Sequence, residues 1–257
     1  MYQLRDYPPL KLYVLPWEGA RAYFTTRWGG VSQGPLAGLN LGGTVGDQPA
    51  NVEANWRQLK ETLGLRDLAH ISCEQVHGDR VQVVETDHLP PPDQRKIFPA
   101  TDGLVTNLPG VLLTSLYADC VPLVFFDPQR KVIGMAHAGW RGTKAGIGLK
   151  TLELMGETFG TEPRHCLVGI GPSIGPCCYR VGEEVARGFP AETIQRREDG
   201  YYLDLWRANR TPLIEAGILP KNLAKAELCT CCRSSLFYSH RASQGRGGRM
   251  ASLILLT

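Results

Sequence analysis

The chain predicts an α+β fold. Four strand-like runs, GLVT, VLLTSLY, VPLVFFD and KVIGMAHA, follow one another between Gly103 and Ala138. Helical periodicity takes over after them. The strict β-α-β alternation that a doubly wound sheet needs is scarce. The length of 257 residues fits one large domain or two small ones, and neither an internal repeat nor an interdomain linker interrupts it.

In chain order, MYQLRDYPPLKLYVLPWEGA has no long apolar run and so does not read as a signal peptide. RAYFTTRWGG reads as a short strand entering a Gly-Gly turn, and GPLAGLNLGGTVGDQP as an ordered, turn-rich loop. NVEANWRQLKETLGL places Val52, Trp56, Leu59 and Leu63 at helical spacing, with Gly64 as the stop. RVQVVET alternates and is β-branched, hence a strand. HLPPPDQRKIFPATDG is expected to be a loop, because three consecutive prolines suit neither a helix interior nor a central strand. DPQRK has the composition of a hairpin turn between two of the four runs. TKAGIGLKTLELMGETFG predicts a helix with a glycine-weakened start, and HCLVGIGP a strand. GEEVARGF and LWRANRTPLIEAG predict helices, the second broken at Pro212. RMASLILLT predicts a last strand.

Composition narrows the function classes. The hydrophobic share of 43% and charged share of 21% suit a globular protein with a real core. A net charge of +3 is too small to argue for nucleic acid or an anionic membrane. No window approaches the roughly 18 apolar residues of a membrane span. These absences favour the cytoplasm, where the eight cysteines are expected to be free thiols or metal ligands rather than disulfides.

Three residues are the candidates for chemistry. His137 ends a strand-like run in MAHAGWRG, Cys120 lies between TSLYAD and VPLVFFD, and His77 sits at a turn in CEQVHGDRVQVVE. Read singly, each has a plain alternative as a packed core residue or turn residue. Together, two imidazoles and a thiolate make a three-ligand set for catalytic zinc, which keeps a fourth position open; copper is also compatible with such donors. The remaining cysteines form PCCYR (Cys177, Cys178) and CTCCR (Cys229, Cys231, Cys232). Cys229 and Cys232 make one Cys-x2-Cys pair, short of the paired pattern of a structural zinc ribbon, and free thiols are the favoured reading. GIGPSIG (Gly169 to Gly175) reads as a tight turn, because Pro172 and the spacing spoil a dinucleotide fingerprint.

TTRWGGVSQGPLAGLNLGGTVGD, QVHGDRV, DGLVT, LYADCVPLVFFD, AHAGWRGT, GPSIGPCCYRVG and GGRMASLI together resemble the YfiH family. Its members are purine nucleoside phosphorylases formerly labelled laccase-domain or polyphenol oxidase proteins. The resemblance runs from about Ala22 to the end of the chain, so it implies one domain over residues 1–257. It implies an α/β/β/α sandwich related to a fold that also houses cysteine hydrolases, and a zinc held by His77, Cys120 and His137. It implies phosphorolysis of adenosine, inosine and methylthioadenosine, together with adenosine deamination. Its substrates are then a purine nucleoside and phosphate. Two segments depart from the family. LFYSHRAS stands for Phe-Phe-Ser-Tyr-Arg-Arg, so Arg241 alone keeps the arginine pair and His240 replaces tyrosine. Asn55-Trp56, with Arg57 one step on, stands for an asparagine-arginine pair.

Zinc lowers the pKa of a bound water to about 7, which suits deamination at C6 of adenine, with Glu74 a possible proton shuttle. Phosphorolysis needs phosphate held, and the planar fork of arginine does this in bidentate fashion; Arg27, Arg141 and Arg241 lie within family motifs. Beside a non-enzyme alternative, a metal- or nucleotide-binding partner protein, two enzyme rivals stand against this reading. One is a metal-free hydrolase or amidase acting on cell-wall precursors, with Cys120 as nucleophile and His137 as base. The other, a copper-dependent polyphenol oxidase, is weakened by the presence of six histidines and no His-x-His pair.

Overall fold

The protein is described from a computed structural model covering residues 1–91 and 94–257. Among these there are sixteen strands and five α-helices. The chain opens with β1 (Gln3–Tyr7), β2 (Leu10–Trp17) and β3 (Ala20–Thr25), an antiparallel meander. After the ordered loop comes α1 (Pro49–Leu63), which ends at Gly64 as expected. Then follow β4 (Ala69–Cys73), β5 (Val81–Val83) and β6 (Arg95–Phe98). The four runs of the central segment are β7 (Gly103–Thr106), β8 (Val111–Tyr117), β9 (Val121–Asp127) and β10 (Val132–Ala138).

The expected helix after them is split into α2 (Trp140–Lys144) and α3 (Ile147–Phe159) at Gly146, whose φ is 77°. β11 (Leu167–Ile170), β12 (Arg180–Val181), α4 (Glu183–Ala186), β13 (Ile194–Arg197) and β14 (Gly200–Leu203) follow. The chain finishes with α5 (Leu205–Glu215), β15 (Leu223–Lys225) and β16 (Met250–Leu256).

Two large sheets stack face to face. The first has the order β1-β2-β3-β16-β8-β4-β6 and the second β15-β11-β9-β10-β7-β5; β12, β14 and β13 form a small separate sheet. The period-2 pattern of each strand decides what lies between the layers. From β9 and β10, Val124, Phe126, Ile133 and Met135 face the first sheet, where Leu15, Phe24, Leu113 and Ile254 meet them. The alternate residues Leu123, Phe125, Val132 and Ala136 face Ile147, Leu152 and Met155 of α3 and Leu213 of α5. On the far side of the first sheet, Leu12, Tyr23, Leu112 and Leu253 pack on Trp56 and Leu59 of α1. The result is α1, sheet, sheet, α3 with α5: the α/β/β/α order. Each fully buried Leu, Val or Phe in these layers contributes on the order of 1.5–3 kcal/mol relative to exposure. At Gly169 of β11 the layers come so close that a Cβ would lie 2.3 Å from Leu15 Cδ1.

Two local expectations are corrected. The segment read as one loop from His88 to Gly103 contains β6, which runs parallel to β4 at the edge of the first sheet. β6 is a short, mostly exposed strand, so no apolar alternation marks it. Pro92 and Asp93 of that loop lie outside the described residues. Pro212 does not break its helix: α5 runs from Leu205 through to Glu215. The proline removes one backbone donor, and burial of Leu205 and Leu213 on the second sheet offsets the loss. No helix of the described residues is long and apolar enough to cross a membrane.

Candidate metal centre

The chain passes from the first sheet to the second between β8 and β9, and Cys120 lies in that crossing. Asp119 before it has φ 89° and His77 has φ 61°. Such left-handed conformations cost non-glycine residues about 1–3 kcal/mol each, and hydrogen bonds hold both. Asp119 Oδ1 accepts from Thr230 Oγ1 at 2.6 Å, and Oδ2 accepts from Ser239 Oγ at 3.1 Å and the Arg241 backbone N–H at 2.7 Å. The carboxylate of Asp102 accepts the backbone N–H groups of Val76, His77 and Gly78 at 3.0, 3.0 and 2.8 Å. Gln75 pins the same loop to β8, accepting from the Leu116 N–H and donating to its carbonyl.

His137 ends β10 and is 3% exposed. Its Nδ1–H donates to Asp102 Oδ1 at 2.9 Å, which leaves Nε2 as the free donor atom. The donor atoms of His77, Cys120 and His137 all lie within 4.8 Å of one another. Gly139 makes room for them, since a Cβ there would sit 2.9 Å from His77 Cδ2 and 3.1 Å from Cys120 Sγ.

The electrostatics follow from this packing. Burial works against ionisation of Cys120, but the His137 and His77 rings outweigh it and bring the thiol down to about 6. Burial also works against the His137 cation, and the Cys120 thiolate with the Asp102 carboxylate pushes it up to about 9. Asp102 is itself held below the usual carboxylate range. Burial opposes its charge, and the His137 and Gly78 hydrogen bonds overcome that opposition. A thiolate, two imidazoles and a carboxylate fixing one imidazole's tautomer suit zinc, and suit copper by the same softness.

The cluster opens into a cavity of about 680 Å³, within the ordinary range for small-molecule sites. Arg141 and Arg241 line it, as do Glu74 and His240. Arg27 is not brought to it. Its guanidinium donates to the Ser234 and Ala37 carbonyls and stacks on Tyr238. Arg241 donates to the Cys178 and Arg180 carbonyls, whereas the Arg141 guanidinium lies over the Trp140 ring and donates no hydrogen bond among the described residues. Asn55 is buried and ties loops, donating to Ser32 Oγ and the Asn40 carbonyl. Sequence reasoning missed Asp102, Tyr179 and Arg249. All three lie inside the motifs DGLVT, PCCYR and GGRM, but nothing in their spacing singles them out.

The fold and cluster define an α/β/β/α protein with a candidate His2Cys metal centre in a ligand-sized cavity. A family model described as multi-copper polyphenol oxidoreductase laccase matches residues 21–257. The crystal structure of Bacillus licheniformis hypothetical protein YfiH superposes with a TM-score of 0.92 at 34% identity, covering 100% of this chain and 99% of that one. That of YlmD from Geobacillus stearothermophilus gives 0.87 at 40% identity, covering 93% and 92%. The purine nucleoside phosphorylase YlmD of Geobacillus stearothermophilus is 41% identical over 93% of this chain and 91% of its own. A purine nucleoside phosphorylase of Deinococcus radiodurans is 41% identical over 96% and 93%. The chain belongs to this laccase-like family, the YfiH family.

Proposed function

We propose that the protein is a zinc-dependent purine nucleoside phosphorylase, acting on adenosine, inosine and methylthioadenosine, with adenosine deaminase activity. The observation that carries the proposal is the cavity that sets His77, Cys120 and His137 beside Arg141, Arg241 and Arg249, in a chain whose relatives are named purine nucleoside phosphorylases. We assign His77, Cys120 and His137 as zinc ligands. When bound, zinc supplies a Lewis acid with an open coordination position. In phosphorolysis a phosphate oxygen bonds to C1′ of the ribose as the C1′–N glycosidic bond breaks. The base leaves with the electron pair and takes up a proton, and ribose 1-phosphate remains. Arg141, with its guanidinium unspent, grips phosphate best; Arg241, anchored on two carbonyls, fixes the wall beside it. In deamination a water oxygen bonds to C6 as the C6–N bond breaks and ammonia leaves, and Glu74, which lines the cavity, is the candidate carrier of the proton from the water to the departing nitrogen. We place the reaction in the cytoplasm, which fits eight free thiols, and take residues 1–257 as one domain.

A second reading has one observation in its favour: Asp102, His137 and Cys120 line up as orienting acid, base and nucleophile. It gives His77 no task, although the Asp102 clamp holds that residue in a costly conformation at the cluster. Multicopper oxidase chemistry is disfavoured by the donor set. Of six histidines, His70 is buried between Trp56 and Thr114, and His77 and His137 make one cluster. Chromatography of adenosine, inosine and methylthioadenosine incubated with zinc-loaded protein, with and without phosphate, tests the proposal. Base release should require phosphate, and equal release without it would make the enzyme a hydrolase. Inosine formed from adenosine in phosphate-free buffer would bear out the deaminase activity.

A further inference from the structure

A second group of sulfurs lies outside the cluster just described. Cys177 and Cys178 sit in the turn between β11 and β12; Cys229 and Cys232 sit between β15 and β16. Their Sγ atoms all lie within 4.8 Å of one another. Cys232 Sγ is 3.4 Å from Cys177 Sγ and 3.3 Å from Cys178 Sγ. Zinc–sulfur bonds of about 2.3 Å put the corners of a tetrahedral tetrathiolate about 3.8 Å apart, so the four sulfurs already stand near the corners such an ion requires. All eight cysteines are free thiols.

The backbone brings the two loops together without help from sulfur. Ser173 N–H donates to the Leu228 carbonyl at 3.1 Å, and Thr230 N–H donates to the Ser173 carbonyl at 3.1 Å. The Gly175 N–H points at Cys229 Sγ at 3.3 Å, the kind of donor that stabilises a metal-bound thiolate. Four thiolates around a divalent ion leave a net charge of −2. Two cations serve that turn: Arg197 donates to the Pro176 and Cys177 carbonyls, and Arg241 to the Cys178 carbonyl.

We infer that Cys177, Cys178, Cys229 and Cys232 form a second, structural metal site that takes zinc as a tetrathiolate. Four protein sulfurs close the coordination shell, as structural zinc requires, and no position stays open for substrate. The ion fastens two loops that build one wall of the cavity. Tyr179, next to Cys178, lines it, and Thr230, next to Cys229, holds the Asp119 carboxylate beside Cys120. The Cys-x2-Cys pair alone is half a site; the fold supplies the other half from PCCYR, some fifty residues away in sequence.

The test uses the full chain carrying His77→Ala, which weakens the other cluster. The protein is stripped of metal under reducing conditions, given zinc, alkylated with iodoacetamide and mapped by mass spectrometry. One zinc should bind and should protect Cys177, Cys178, Cys229 and Cys232 together while Cys231 is alkylated. Adding Cys232→Ser should abolish this zinc and expose the other three. Zinc that protects none of the four, or a Cys232 disulfide in protein purified under reducing conditions, overturns the inference. Cobalt(II) titration of the wild-type chain gives a readout independent of either variant. Two ions should bind, one with the strong thiolate-to-cobalt charge transfer of four sulfurs; a spectrum of one-thiolate character only overturns the site.

Discussion

The Asp102 carboxylate takes four hydrogen bonds, three from the loop that presents His77 and one from the His137 ring. One buried carboxylate therefore positions both imidazoles. Its native pKa is depressed, so its contribution to stability is complete above its unfolded value of about 4 and is lost as pH falls through the lower native one. Asp102→Asn should cost about 1.5–3 kcal/mol at neutral pH, the range for hydrogen bonds to a charged group. The acid limb of its stability curve, followed by urea unfolding from pH 7 to pH 3, should be flatter than that of the wild type. A wild-type limb just as flat would show that Asp102 is not the titrating group. His77→Ala and Cys120→Ser each remove one of three proposed ligands. Loss of groups that merely support ligands costs about 10–100-fold, so both variants should lose zinc and turnover together by at least that much. A Cys120→Ser protein that keeps its zinc but loses all turnover would transfer Cys120 to the nucleophilic role.

Among the elements, α2 and β11 depend on glycine for close approach. Gly139→Ala would push a methyl group against His77 and Cys120; the expected outcome is normal far-ultraviolet circular dichroism with reduced zinc content. Gly169→Ala would overpack the space between the sheets and should cost about 1–3 kcal/mol, read as a lower urea midpoint with activity per folded molecule unchanged. The elements legible in the sequence were those with strong periodicity or punctuation. α1 shows its 3.6-residue stripe and Gly64 stop, and β9 and β10 show apolar runs joined by DPQRK. β1, β2, β4, β6, β15 and the small sheet were not legible. All but β2 are short or lie at sheet edges, so their sequences offer too few residues to show an alternation. Likewise His77, Cys120 and His137 could be gathered from motifs, whereas Asp102 acts through backbone N–H groups and leaves no side-chain spacing to read. The four-sulfur group required β11 and β15 to be parallel neighbours, a fact of topology rather than of pattern.

For the whole molecule, the layers between the two sheets and under α1 include no residue of either cysteine cluster, and only Cys229 and Cys178 of the four-sulfur group pack on the layer beneath α3. A chain of this size buries enough surface to fold on its core alone. Removing metal with a chelator should therefore leave a cooperative thermal transition with native secondary structure, even as turnover disappears; a non-cooperative melt would show the core to be metal-dependent. The same layers impose an order on synthesis. β16 lies between β3 and β8 in the first sheet, yet it is translated last of the sixteen strands. A ribosome adding roughly 5–20 residues per second leaves β3 without that neighbour for tens of seconds. During this interval two strand edges in the middle of the future sheet stand open to other nascent chains. Chains arrested before Met250 should accumulate on chaperones or precipitate, whereas chains extended past Leu256 by a flexible tether should reach the native state before release.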